Sequence, residues 1–115
     1  MEEENKINEL AIKYKHDIYS LLQLGYSYKE NKDYQNAIDV YDYIFSIDSY
    51  NPVARLALFD IYMETEQYDV AKPILDEIFS SSLYKEELKN NRAKYEEARE
   101  TINKYLEAQK LKINA

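Results

Sequence analysis

Residues 24–45, LGYSYKENKDYQNAIDVYDYIF, and residues 58–79, LFDIYMETEQYDVAKPILDEIF, are two copies of one pattern. Leu24, Tyr28, Tyr34, Ala37, Ile44 and Phe45 return as Leu58, Tyr62, Tyr68, Ala71, Ile78 and Phe79, each 34 residues later and without a gap. A period of this size marks a stack of helical hairpins. One hairpin buries a single face, so a neighbour must cover what it leaves open. The expected fold is therefore all-α, an α-solenoid of antiparallel helical hairpins.

Working outward, Ile7, Leu10, Ala11, Tyr14, Ile18, Leu21, Leu22, Gly25 and Tyr28 follow helical spacing. They describe either one long helix over about residues 3–30 or two helices meeting near His16 and Asp17, with Asp17 capping the second. Asn31, Lys32 and Asp33 turn the chain, and Asp33 or its neighbour caps a helix running to about Ile47. Asp48 to Pro52 reads as a loop, because Pro disfavours helix in the residue before it and is welcome in a first turn. Further helices are expected over about residues 52–64 and 69–80, with Pro73 close enough to the start of the second to cost little. The Ser80-Ser81-Ser82 run breaks the chain. From Leu83 a single helix is expected to about Lys110, with Leu88, Tyr95, Ala98, Ile102, Tyr105 and Leu106 as its apolar stripe.

Composition narrows the function classes. The chain has no Cys, one Gly and one His, so Cys-ligated zinc, a thiol nucleophile and a Gly-rich phosphate loop are all excluded. His16 sits beside Asp17, but adjacent helical residues do not face each other, so no base–orienter pair is expected. Neither catalysis nor a cofactor is indicated. No apolar run is long enough to span a membrane. The acidic residues 1–5 are followed by no apolar signal core, so a soluble cytoplasmic protein is the expectation. The net charge of −7 is uneven: residues 1–82 hold 7 Lys or Arg against 16 Asp or Glu, and residues 83–115 hold 8 against 6. An acidic body repels phosphate backbones, which argues against nucleic acid.

The repeated pattern resembles the tetratricopeptide repeat family. Over residues 18–51, Leu21 takes the first large position, Leu24 and Gly25 the Leu-Gly pair, Tyr28 the aromatic, and Tyr34, Ala37, Tyr41 and Ile44 line the second helix. Leu58, Tyr62, Tyr68, Ala71, Leu75 and Ile78 repeat it. There are departures: Phe59 stands where the family prefers a small residue, which should hold the helices of that hairpin apart; Arg55 replaces a large apolar residue; and Ser49 and Leu83 stand where Pro closes a repeat. A third repeat in the same register would bury Arg92 and Glu96. The resemblance thus implies a right-handed solenoid with an N-terminal extension (1–17), two repeats (18–51 and 52–82) and a C-terminal capping or docking helix (83–115).

The resemblance also implies a protein-interaction module whose groove is lined by the first helix of each hairpin. Carried over residue by residue, the groove positions are Tyr19, Leu22, Tyr26, Lys29 and Glu30, then Val53, Leu56, Asp60, Met63 and Glu64. An apolar middle with charged edges suits a partner peptide or an amphipathic helix, a basic one given the acidic body. The family's clamp for a partner's C-terminal carboxylate is absent, since Leu22, Tyr26 and Ala57 occupy its Lys, Asn and Arg positions. Two alternatives stand beside this reading. The chain's own terminal helices could cover the groove. Or the stripe Tyr84, Leu88, Asn91, Tyr95, Ala98, Ile102 and Tyr105, at steps of four and three, or else an open repeat end, could join a second copy as a homodimer.

Overall fold

A computed structural model describes residues 9–10, 13–14 and 17–114, and His16 lies outside that set. Among the described residues there are six α-helices and no strand: α1 (Ile18–Glu30), α2 (Tyr34–Ile47), α3 (Pro52–Glu64), α4 (Tyr68–Ser80), α5 (Lys85–Asn90) and α6 (Arg92–Asn114). A 3-10 turn, Ser82–Tyr84, joins α4 to α5. The chain forms two compact units that divide within α3, Met1–Ile61 and Tyr62–Ala115.

In the first unit the helical pattern is interrupted at Asp17, as the two-helix expectation had it. Its backbone is extended, and its carboxylate accepts from the Ser20 backbone N–H at 3.3 Å and the Ser20 hydroxyl at 2.7 Å. Those hydrogen bonds, the hydroxyl's first, hold the Asp17 carboxyl below its ordinary pKa. After α1 the chain reverses through Lys32, whose φ is 60°. The Lys32 N–H donates to the Lys29 carbonyl at 3.0 Å and the Asp33 N–H to the Tyr28 carbonyl at 2.9 Å. That pair of bonds is a Schellman ending, which satisfies carbonyls the helix end leaves orphaned. Asp33 occupies the N-cap position of α2, but its carboxylate takes the Asn36 side-chain amide at 2.8 Å rather than a backbone N–H. The expected cap is there in position only.

The second hairpin turns in the same way. Glu66 has φ 58°, its N–H donates to Met63, and the Gln67 N–H donates to Tyr62 at 2.7 Å. Lys32 and Glu66 lie one period apart, so the repeat extends to backbone geometry that their unlike side chains conceal.

α1 and α2 pack through Leu21 and Gly25 on one side and Ala37, Val40, Tyr41 and Ile44 on the other, all buried. The approach is closest at Gly25. A Cβ built there would lie 2.6 Å from Tyr41 Cε1 and 2.8 Å from Tyr41 Cζ, well inside contact distance. The aromatic ring occupies the space that a side chain would need. In the same register the second repeat has Phe59 and Leu75, both buried. α3 starts from Asn51, whose side-chain oxygen accepts the Ala54 N–H at 3.0 Å while its amide donates to Asp48 at 3.3 Å. At 8% exposure Asn51 is a buried polar residue, and its bonds in both directions are what make that burial tolerable. Pro52 follows as the first helical residue.

In the second unit α6 packs on α4. Tyr68 meets Tyr105 edge to face at a centroid distance of 5.2 Å, and the Arg99 guanidinium stacks 3.6 Å above the Phe79 ring. Late residues of α4 thus meet early residues of α6, an antiparallel arrangement. Ala71, Ile74, Leu75, Ile78, Tyr84, Tyr95, Ala98 and Ile102 are buried, and Arg92 and Glu96 point outward, paired at 3.1 Å.

The single helix expected from Leu83 is corrected. It is a 3-10 turn, then α5, then a break at Asn91 (φ −133°, ψ 33°), then α6. The Asn91 side chain bends back onto the Glu87 carbonyl (3.2 Å) and carboxylate (3.0 Å), competing with the helical ladder as short amides do. The Tyr95 hydroxyl then donates across the break to Glu87 at 2.7 Å. The bend lets Tyr84 and Tyr95, on either side of it, both be buried.

Two stability measurements test these assignments. Lys32→Gly and Glu66→Gly, by relieving a left-handed backbone at a non-glycine residue, should each raise the urea midpoint, with a gain of up to about 1 kcal/mol. Gly25→Ala should lower it by about 1–3 kcal/mol, because the Tyr41 ring must be displaced.

Candidate functional site

α1 carries a stripe at positions 19, 22, 26 and 29, which helical spacing places on one face. Tyr19 is 70% exposed and Tyr26 57% exposed, with half-buried Leu22 between them. On α3, Val53 is 56% exposed and Leu56 is half-buried one turn on. Asp17 and Asn51 start these two helices and so set which residues face outward.

The two helices are tied together at one end of the stripe. Lys29 Nζ lies 3.4 Å from the Asp60 carboxylate, 4.0 Å from Glu30, and 5.6 Å from the centre of the Tyr26 ring. The pair is partly sheltered, with side-chain exposures of 18% and 32%, and contributes at most about 1 kcal/mol. Its role is positional, since it sets the Tyr26 ring against a cation fixed to the neighbouring helix. Lys29 was expected among the groove positions, and its ammonium pairs with Asp60 within the unit. Met63 is half-buried and Glu64 exposed at the end of α3, past the division between the units. Tyr19, Leu22, Tyr26, Lys29, Val53, Leu56 and Asp60 thus belong to one compact unit, and Met63 to the other.

Beneath this face lies Tyr41, 1% exposed. Burial raises its hydroxyl pKa to about 12, with the charges of Asp60 and Glu30 adding to the shift. Sequence reading assigned Tyr41 to the second helix's lining and missed its place under Asp60. A signal was present: Lys29 and Asp60 are opposite charges somewhat less than one period apart, on the first helices of successive hairpins.

The apolar stripe of the last helix lies elsewhere. Tyr84, Tyr95, Ala98 and Ile102 are buried, Leu88 and Tyr105 half-buried, and Asn91 is the break itself. Among the described residues no group of His, Asp and Glu side chains could hold a metal ion, and no helix is long and apolar enough to cross a membrane.

Two helical hairpins in one register, with identical turns, define a helical-repeat protein. Residues 28–81, just under half of the chain, match the family model of the tetratricopeptide repeat. Over this stretch, which covers α2, α3 and α4, the chain is similar to the tetratricopeptide repeat family. No curated protein and no solved structure matches it comparably. Tetratricopeptide repeats generally mediate protein–protein interaction, and the family is typically a non-enzymatic scaffold.

The buried phenol yields a pH test. Tyr41 has a folded pKa of about 12 against an unfolded value of 10.0. Its contribution is complete below pH 10 and is lost as the pH rises through about 12. Urea midpoints of wild type and Tyr41→Phe, compared from neutral pH to beyond pH 11, should show the wild type losing roughly 2 kcal/mol more than the variant. Parallel curves would remove Tyr41 from its buried, charge-flanked position.

Proposed function

We propose that the chain is an interaction module that captures a peptide or amphipathic helix of a partner protein on the α1–α3 face. Residues 18–51 and 52–82 form its repeats in this reading, flanked by residues 1–17 and 83–115. The observation that carries it is the exposure of Tyr19 and Tyr26, two large aromatic rings two turns apart on one face of α1. Exposed single apolar residues are ordinary, but an aligned aromatic pair with Leu22 between and Val53 and Leu56 on the next helix makes a continuous apolar strip. Such a strip receives an apolar helix face at positions spaced by three and four. Tyr26 is the anchor in this reading, its ring centre 5.6 Å from the Lys29 ammonium, which Asp60 in turn pairs. The acidic charge of residues 1–82 favours a basic partner segment, which would associate faster at low salt.

Self-assembly through the last helix is less well supported. The stripe that would pair with a second copy is the one α6 uses within its own unit. What remains apolar and exposed on α6 is Leu111 and Ile113, 72% and 82% exposed, too short a seam for a coiled coil.

Affinity capture from lysate of the source cell with wild type and Tyr26→Glu as paired baits tests the reading. A protein held by wild type and lost by the variant is the expected result, with affinity falling about thirtyfold or more, as for a central aromatic anchor. Unchanged thermal melting of the variant would assign the loss to the face rather than to the fold. Retention of every partner by Tyr26→Glu would show that the α1–α3 face is not the binding site.

A further inference from the structure

The second unit carries a cleft with chemistry opposite to that of the acidic body. Between the end of α4 and α5, Phe79 and Leu88 form a half-buried apolar floor over buried Ile78. Its rim holds the exposed side chains of Lys85, Lys89 and Arg92, together with the Ser80 and Ser82 hydroxyls. No Asp or Glu lines it. The rim follows the basic balance of residues 83–115, which hold 8 Lys or Arg against 6 Glu.

The lysines differ from the other cations of this region. Lys104 and Lys110 are paired with glutamates three or four residues away, as is Arg92 with Glu96. Lys85 and Lys89 form no ion pair among the described residues. One turn apart on α5, they share a face and flank Leu88. The 3-10 turn, held by the Ser81 hydroxyl accepting the Leu83 N–H at 3.2 Å, sets the cleft's inner wall. An apolar floor with two uncommitted ammonium groups on its rim can accept an apolar side chain while pairing with carboxylates beside it.

From this we infer that the α4–α5 cleft is a second docking site, and that its occupant is an acidic segment of a partner protein carrying a leucine or aromatic anchor. Charge complementarity selects this occupant. A basic segment, the kind proposed for the α1–α3 face, would be repelled here, so the two sites take different ligands.

The test is fluorescence anisotropy with a short labelled peptide alternating glutamate and leucine. Controls are the same peptide with lysine, or with serine, in place of glutamate. The acidic peptide should bind most tightly, lose affinity as salt rises, and lose about tenfold in affinity to Lys85→Glu/Lys89→Glu. Both lysines are exposed, so that variant should melt as wild type does; Lys85→Gln/Lys89→Gln, which only neutralises the rim, should show a smaller loss in the same direction. Tyr26→Glu should leave the acidic peptide's binding unchanged, which separates this site from the α1–α3 face. Equal binding of the three peptides, or binding indifferent to both lysine variants, would overturn the proposal. So would a wild-type dimer in light scattering that the lysine reversal dissolves, since the occupant would then be a second copy of the chain.

Discussion

The contact between the Tyr41 ring and the bare backbone at Gly25 is the constraint on which the first unit depends. Only a residue without Cβ lets α2 bring an aromatic ring this close to α1, and the ring then fills the space with apolar area worth roughly 1.5–3 kcal/mol. The charges of Asp60 and Glu30 also reach the buried Tyr41 hydroxyl and add to its raised pKa. Core packing and the outer face are therefore not independent. The same unit also joins α1 to α3 through Lys29 and Asp60.

The second unit solves a different problem. Here α6 packs on α4, with Tyr105 against Tyr68 and Arg99 over Phe79. A straight continuation of α5 would not direct Tyr95, Ala98 and Ile102 at α4 while also keeping Tyr84 buried. The bend at Asn91 does so, and Glu87 accepts hydrogen bonds from both Asn91 and Tyr95 across it. The cleft with its apolar floor and basic rim lies between the end of α4 and α5, where the 3-10 turn joins them.

Much of the candidate surface was legible because repeat register carries positional information. Once Leu24 and Leu58 are aligned, Tyr19, Leu22, Tyr26, Val53 and Leu56 fall at positions the repeat's own packing does not need, and large apolar residues there stand out. Lys29 was legible as a position but not as a state. Its charge could be read from the chain, whereas its pairing with Asp60 depends on how two helices lie side by side. Asn51 was passed over as part of a loop beside Pro52. Its capping bond and its burial arise from local geometry that many Asn-Pro sequences do not adopt.

The sequence by itself determined the all-α class, the period, the hairpins with their near boundaries, and the acidic balance, because helical periodicity and turn residues act over a few positions and recur. Tertiary structure alone decided three things. One is the left-handed residue in each turn, where Lys32 and Glu66 tolerate a conformation neither favours because two backbone hydrogen bonds hold it. Another is the break at Asn91, where burying Tyr84 and Tyr95 together outweighs a continuous helix. The last is the use of Lys29 to join two helices, since a charge finds its partner only when packing has brought separate segments within about 4 Å.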